Sequence, residues 1–304
     1  MGKRNKLWKS ISVIGLAGAA GMSLSACTEE ENEGEAAVAP IETSVDAVAL
    51  AGEGEGEGEV ISAGEGEGEG EGEVVSAGEG EGEGEGEGAA ATELTSDDLA
   101  YLTHLSLIKG HLYVGAELYK AGHIEHAKTH MKHPESELYA DLVPAFEARG
   151  TAGFAKELTA VSDAVNEEKG VEAVQTALDT LLAAIDTNAM AVSETSATPA
   201  EKLKLVVQLL RTAADEYAIA VVDGKMENAH EYQDAFGFTT IATDLVEGIE
   251  SDESAVTDAK AATLAILADV KPHWPGLIPP ETLKTEAGAL YGAAAQIELL
   301  ALGL

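Results

Sequence analysis

Residues 97–133 read DDLAYLTHLSLIKGHLYVGAELYKAGHIEHAKTHMKH. Leu99, Leu102, Leu105, Ile108 and Leu112 recur at three- and four-residue spacing, the period of one face of an α-helix. Thr95-Ser96-Asp97-Asp98 supplies the start, with acids in the first turn. Ala121-Gly122 makes a tight turn, and a second helix is expected over 123–133, stopping at Pro134. The stretch therefore reads as an antiparallel helical hairpin.

The same period continues downstream. A third helix is expected over 135–149 with Gly150 as its C-cap, followed by amphipathic stretches at 151–168 and 171–190. Thr198-Pro199-Ala200-Glu201 is a capping box with proline at the first helical position, opening a helix to about 222. Gly224 turns the chain into a helix over 226–250, and the last helices are expected over 253–270 and 281–302, joined through the rigid loop Lys271-Pro272-His273-Trp274-Pro275-Gly276. No alternating strand pattern occurs. With four Phe, seven Tyr and two Trp, the core must come from Leu, Ala, Val and Ile. The expected fold is all-α, an antiparallel bundle of about seven or eight helices. Gly122-His123-Ile124-Glu125-His126-Ala127 aligns with Gly224-Lys225-Met226-Glu227-Asn228-Ala229, which suggests two related hairpin halves.

Upstream the character changes. Residues 53–59, 65–73 and 79–88 alternate glutamate and glycine and hold nothing that could be buried, so 27–92 is expected to be a disordered tether. Its flexible span would be roughly 45–50 Å. A second reading of these glutamates is a weak reservoir for divalent cations. Lys3, Arg4, Lys6 and Lys9 precede a short apolar run over 11–22 that ends in Leu24-Ser25-Ala26-Cys27, the layout of a signal peptide over 1–26. The tetrapeptide resembles the lipobox of bacterial lipoproteins. That resemblance implies cleavage before Cys27, acylation of its thiol and attachment to a lipid bilayer. Thr28 is not the aspartate that retains lipoproteins at the inner membrane, so the resemblance implies a cell-envelope location at the outer membrane, facing the periplasm or the cell surface. The domain from 93 to 304 follows the tether.

The formal charge is −37, and about −20 of it falls on the helical part. Such acidity argues against nucleic acid and anionic lipid as partners for that part, and favours cations or basic proteins.

Six of the eight histidines lie between 104 and 133. On the second helix His123, His126, His130 and His133 share one arc of about 80°. His104 and His111 lie two turns apart on the first. If the hairpin closes at Gly122, His111 opposes His133 with His130 a turn away, and His104 comes within reach of Glu137. The candidate metal ligands are therefore His111, His130 and His133, with Glu137, His104 and His126 behind them. Imidazole with carboxylate suits Zn, Cu, Ni or Fe, and a haem role ranks lower. Acidic surroundings are expected to raise the histidine pKa values, weakening binding below about pH 6. His230 and His273 stand alone and read as structural.

Serine-hydrolase, phosphate-loop, dinucleotide and zinc-protease signatures do not occur. The expectation is a non-enzymatic lipoprotein that captures or buffers a transition metal. The alternative is an interaction protein whose bundle docks a basic envelope protein.

Overall fold

The computed structural model describes residues 89–304. The expected signal peptide, the lipobox with Cys27 and nearly all of the Glu/Gly tether lie outside the described residues. Within them the chain is an all-α helical bundle.

A short helix that was not expected precedes the first expected one, whose start is set by Asp97. Its Oδ1 accepts from the backbone N–H of Leu99 (2.7 Å) and Ala100 (3.1 Å), capping α2 (Asp98–Lys120) and leaving the short α1 (Ala91–Ser96) before it. Helix α2 is buried on nearly every side, with Leu105, Leu107, Ile108, Leu112, Val114 and Leu118 in the core. A helix so placed is a central strut rather than a surface helix. It ends at Gly122, whose φ of 84° lets His123 N–H bond Leu118 O at 2.9 Å.

The chain returns as α3 (Ile124–His133). Pro134 was expected to stop it. Instead one π-helical turn, Pro134–Leu138, carries the path into α4 (Tyr139–Arg149). Pro134 has no N–H to give the preceding helical turn and its ring crowds the carbonyl four residues back, and the wider π turn accommodates both. Gly150, at φ 67°, closes α4 as expected. Then come α5 (Ala155–Asn166) and α6 (Val171–Ala189).

Thr198 caps α7 (Pro199–Ala220) by accepting from Glu201 N–H at 3.3 Å. The following turn departs from the helical expectation. β1 (Val221–Val222) and β2 (Lys225–Met226) form a small antiparallel hairpin around Asp223 and Gly224, with φ of 51° and 75°. Two positive φ values in a two-residue Asp-Gly loop match the twist of paired strands, which is why this dipeptide favours a hairpin. The ribbon takes in a segment that was expected to be helical: Met226 N–H bonds Glu281 O at 3.0 Å, and Leu283 N–H bonds Gly224 O at 2.9 Å. Consequently α8 begins late (Ala229–Glu247), α9 covers Ser254–Val270, and α10 is only Gly288–Leu302.

Helices α7, α8, α9 and α10 pack as a four-helix group, with α7 against α8 and α10, and α9 against the same two. Helix α2 lies along α8 and also meets α3, α6 and α7. The α2–α8 contact is close because two glycines meet in it. A Cβ on Gly237 would stand 2.5 Å from Gly110 O, and a Cβ on Gly110 would stand 2.5 Å from Phe238 Cδ1. Neither glycine is needed for its φ; each is needed for the missing side chain. Gly237→Ala should gain about 1 kcal/mol from helix propensity yet lose more through a backbone clash, typically about 1–3 kcal/mol for overpacking. Thermal unfolding of the variant should show a net fall in melting temperature, and an unchanged or raised value would refute the close contact.

Candidate metal centre

The α2–α8 approach brings His111, next to Gly110, against Asp234, which lies one turn before Gly237. His111 Nδ1 donates to Asp234 Oδ1 at 2.6 Å. From α3, His130 Nδ1 donates to the same oxygen at 2.9 Å. All three side chains are fully buried. The other nitrogen of His130 faces Gln233 Oε1 at 2.9 Å. The Gln233 amide nitrogen donates to Leu277 O at 3.1 Å, so its oxygen must be the atom turned toward the imidazole. Both ring nitrogens of His130 thus face acceptors.

Two further imidazoles complete the cluster. His133, at the end of α3, has its ring centre 5.4 Å from that of His111. His230, in the first turn of α8, stacks on His130 with ring centres 4.1 Å apart, and its edge meets His133 at 4.4 Å. His230 Nδ1 lies 3.1 Å from Asp234 Oδ2, one helical turn along. The contact is off hydrogen-bonding geometry. Asp234 Oδ2, His133 Nδ1 and His230 Nε2 are all buried without a hydrogen-bond partner. Such atoms are rare in folded proteins and call for an explanation.

Among the described residues, two sets each have donor atoms within 4.8 Å of one another: His111, His130 and Asp234 in the interior, and His133, His230 and Asp234 toward the surface. The first set has no exposed side-chain surface, whereas His133 and His230 retain 23% and 17%, so the second faces solvent. Each is two imidazoles and one carboxylate, a donor set suited to non-haem iron and to other first-row ions.

The electrostatics divide the same way. Burial would raise the Asp234 carboxyl, but His111 and His130 outweigh it and hold the group well below the usual carboxylate range. Burial would lower His230, but the Glu231 and Asp234 carboxylates outweigh it and raise the imidazole. The His230–Glu231 separation is 3.9 Å, long for a hydrogen bond, so that effect is largely Coulombic. His133 is lowered to about 4, first by burial and then by neighbouring imidazoles. The expected rise of histidine pKa in acidic surroundings therefore holds for His230 and is reversed at His133, where nearby imidazoles and the loss of water outweigh the acids.

Of the residues singled out from the sequence, His111, His130 and His133 come together as the hairpin geometry implied. Glu137 reaches the edge of the cluster, with Oε1 3.3 Å from His133 Nε2. His104 is buried, and its Nε2 donates to Leu138 O at 2.8 Å. It stands two turns from His111, about 10 Å along the axis. His126 is exposed near the turn, its ring 6.4 Å from His123. Neither belongs to the two donor sets. His230 and Asp234 were not foreseen as ligands. A signal was present: they are spaced i, i+4 on one face of α8, so a helix already bearing a histidine carried a carboxylate one turn on. His273, read as structural, bonds the carbonyls of Val270 (2.8 Å) and Glu286 (3.2 Å).

Residues 192–301 match the family described as an iron permease-associated 4-helix bundle domain. The matched span holds α7–α10, hence His230 and Asp234, and excludes α2 and α3, hence His111, His130 and His133. No curated protein and no solved structure matches the chain. Among the described residues no helix is long and apolar enough to cross a membrane.

A histidine with a folded pKa of about 4 and an unfolded value near 6.5 takes up a proton only on unfolding between those limits. His133 thus subtracts stability as pH falls from about 6.5 to 4. In the metal-free protein the ring resonances of His133 should titrate near pH 4, and a midpoint above 6 would contradict the buried, imidazole-crowded placement.

Proposed function

We propose that this chain is a cell-envelope lipoprotein that captures iron, holding the ion between α3 and α8 at His133, His230 and Asp234. The single observation that carries the reading is that donor atoms of these three residues lie within 4.8 Å of one another, and each residue also has a buried polar atom without a hydrogen-bond partner. A bound cation would receive lone pairs there that otherwise go unsatisfied. Iron is favoured over the other first-row ions by the two-histidine, one-carboxylate donor set and by the description of the family matched over 192–301. No thiolate or thioether takes part, so the set does not suit Cu(I).

The reading is capture and not catalysis, with the ion as cargo. His133, neutral down to about pH 4, keeps a lone pair available across the physiological range. Glu137 beside it extends the carboxylate surface outward, where a cation would first meet the site. The acidity of the chain favours arrival of cations. Acylation at Cys27, placement at the outer membrane and work alongside an iron permease belong to the same proposal. The first two rest on Leu24-Ser25-Ala26-Cys27 and Thr28, and the third on the family description.

The full chain, purified without an affinity tag under anaerobic conditions and loaded with Fe(II), should retain iron through gel filtration. His133→Ala with His230→Ala should weaken retention by at least about ten-fold, while His126→Ala leaves it unchanged. Equal retention in the double variant, with an unaltered metal-free melting temperature, would reject the site.

A further inference from the structure

The Asp234 carboxylate has its two oxygens turned to different histidines. Oδ1 receives His111 and His130, and Oδ2 lies against His230 at 3.1 Å. Both donor sets therefore use the same residue. A carboxylate with imidazoles at both oxygens, shared by two sets of donors, has the layout of a bridge between two ions. Carboxylate-bridged pairs in two-metal sites stand about 3.5–4 Å apart. The stacked rings of His130 and His230, one from each set, are separated by 4.1 Å, which fits two neighbouring ions each carrying one of them.

We propose that Asp234 bridges two ions, one held with His133 and His230 and a second held with His111 and His130. This rests on the capture reading and extends it from one ion to two. The inner position is closed by hydrogen bonds, and an ion enters it by replacing them. The Nδ1 protons of His111 and His130 leave to solvent, and their nitrogens and Asp234 Oδ1 turn to the metal. His130 keeps its Nε2 hydrogen on Gln233 Oε1, which holds the ring in place as the ligand bond forms. Bonds of about 2.1 Å require neighbouring donor atoms roughly 3.0–3.4 Å apart. The present 2.6 and 2.9 Å separations must open by a few tenths of an ångström. The outer set needs no such exchange at Asp234 Oδ2, so the outer position fills first.

The test uses Co(II), whose magnetism reports on bridging, added stepwise to the metal-free full chain. The expected result is two Co(II) retained per chain after gel filtration. The paramagnetic resonance signal should rise with the first equivalent and then fall as the second couples to it through the carboxylate. His111→Gln with His130→Gln should retain one Co(II) and keep the uncoupled signal. The wild-type titration needs no variant, so it stands if that double variant fails to fold. One retained ion with an undiminished signal at saturation would overturn the two-ion inference and leave single-ion capture intact. Two ions without coupling, the second held by acidic side chains elsewhere, would also overturn it. No retained ion in the wild type, with Fe(II) or Co(II), would overturn both.

Discussion

Three helices meet on one buried carboxylate. Asp234 belongs to α8, accepts from α2 through His111 and from α3 through His130, and has no exposed surface. An isolated carboxylate cannot stay ionised in such a place, because loss of water costs several kcal/mol. Asp234 stays ionised because two imidazoles supply hydrogens and positive charge. The same contact makes the position of α8 depend on α2 and α3: withdrawing either imidazole leaves a buried charge short of a partner. Asp234 is therefore both a structural clasp and a member of both donor sets.

The surroundings hold that carboxylate in register. Gly110 and Gly237 let α2 and α8 approach until His111 touches Asp234. Behind α8, the loop after α9 grips the preceding residues: Trp274 Nε1 donates to Tyr232 O at 3.1 Å, and Tyr232 donates to Gly276 O at 2.8 Å. Gln233 is tied to Leu277 O and turns its oxygen to His130. These bonds leave the inner side of the cluster little freedom. The outer side, where His133 and His230 meet partial solvent exposure, keeps unpaired atoms. The histidine cluster is thus held firmly behind and open in front.

The division of the chain follows the same line. The family match over 192–301 takes in α7–α10 and supplies His230 and Asp234, whereas the hairpin α2–α3 supplies the remaining imidazoles. The cluster exists only where these two parts pack, and neither carries the full donor set. This places the donor residues at the α2–α8 and α3–α8 contacts rather than wholly inside the four-helix group.

Much of this was legible in the amino-acid order. Helical periodicity is a local property, so the spacing of Leu99 to Leu112, the Thr198-Pro199 cap and the turns at Gly122 and Gly150 could be read directly. The pairing of His111 with His133 followed from the shortness of the turn between their helices, since a tight connection leaves only one way to fold back. Two local signals were misjudged: Pro134 continues through a π turn, and Asp223-Gly224 makes a strand hairpin. His230 and Asp234 lie about a hundred residues from the histidine run, and no local rule relates them to it. Only the tertiary structure brings them together, because the meeting depends on two glycines lying opposite each other in the α2–α8 contact. Helical period tells which residues share a face; which faces meet is decided by packing across the whole chain.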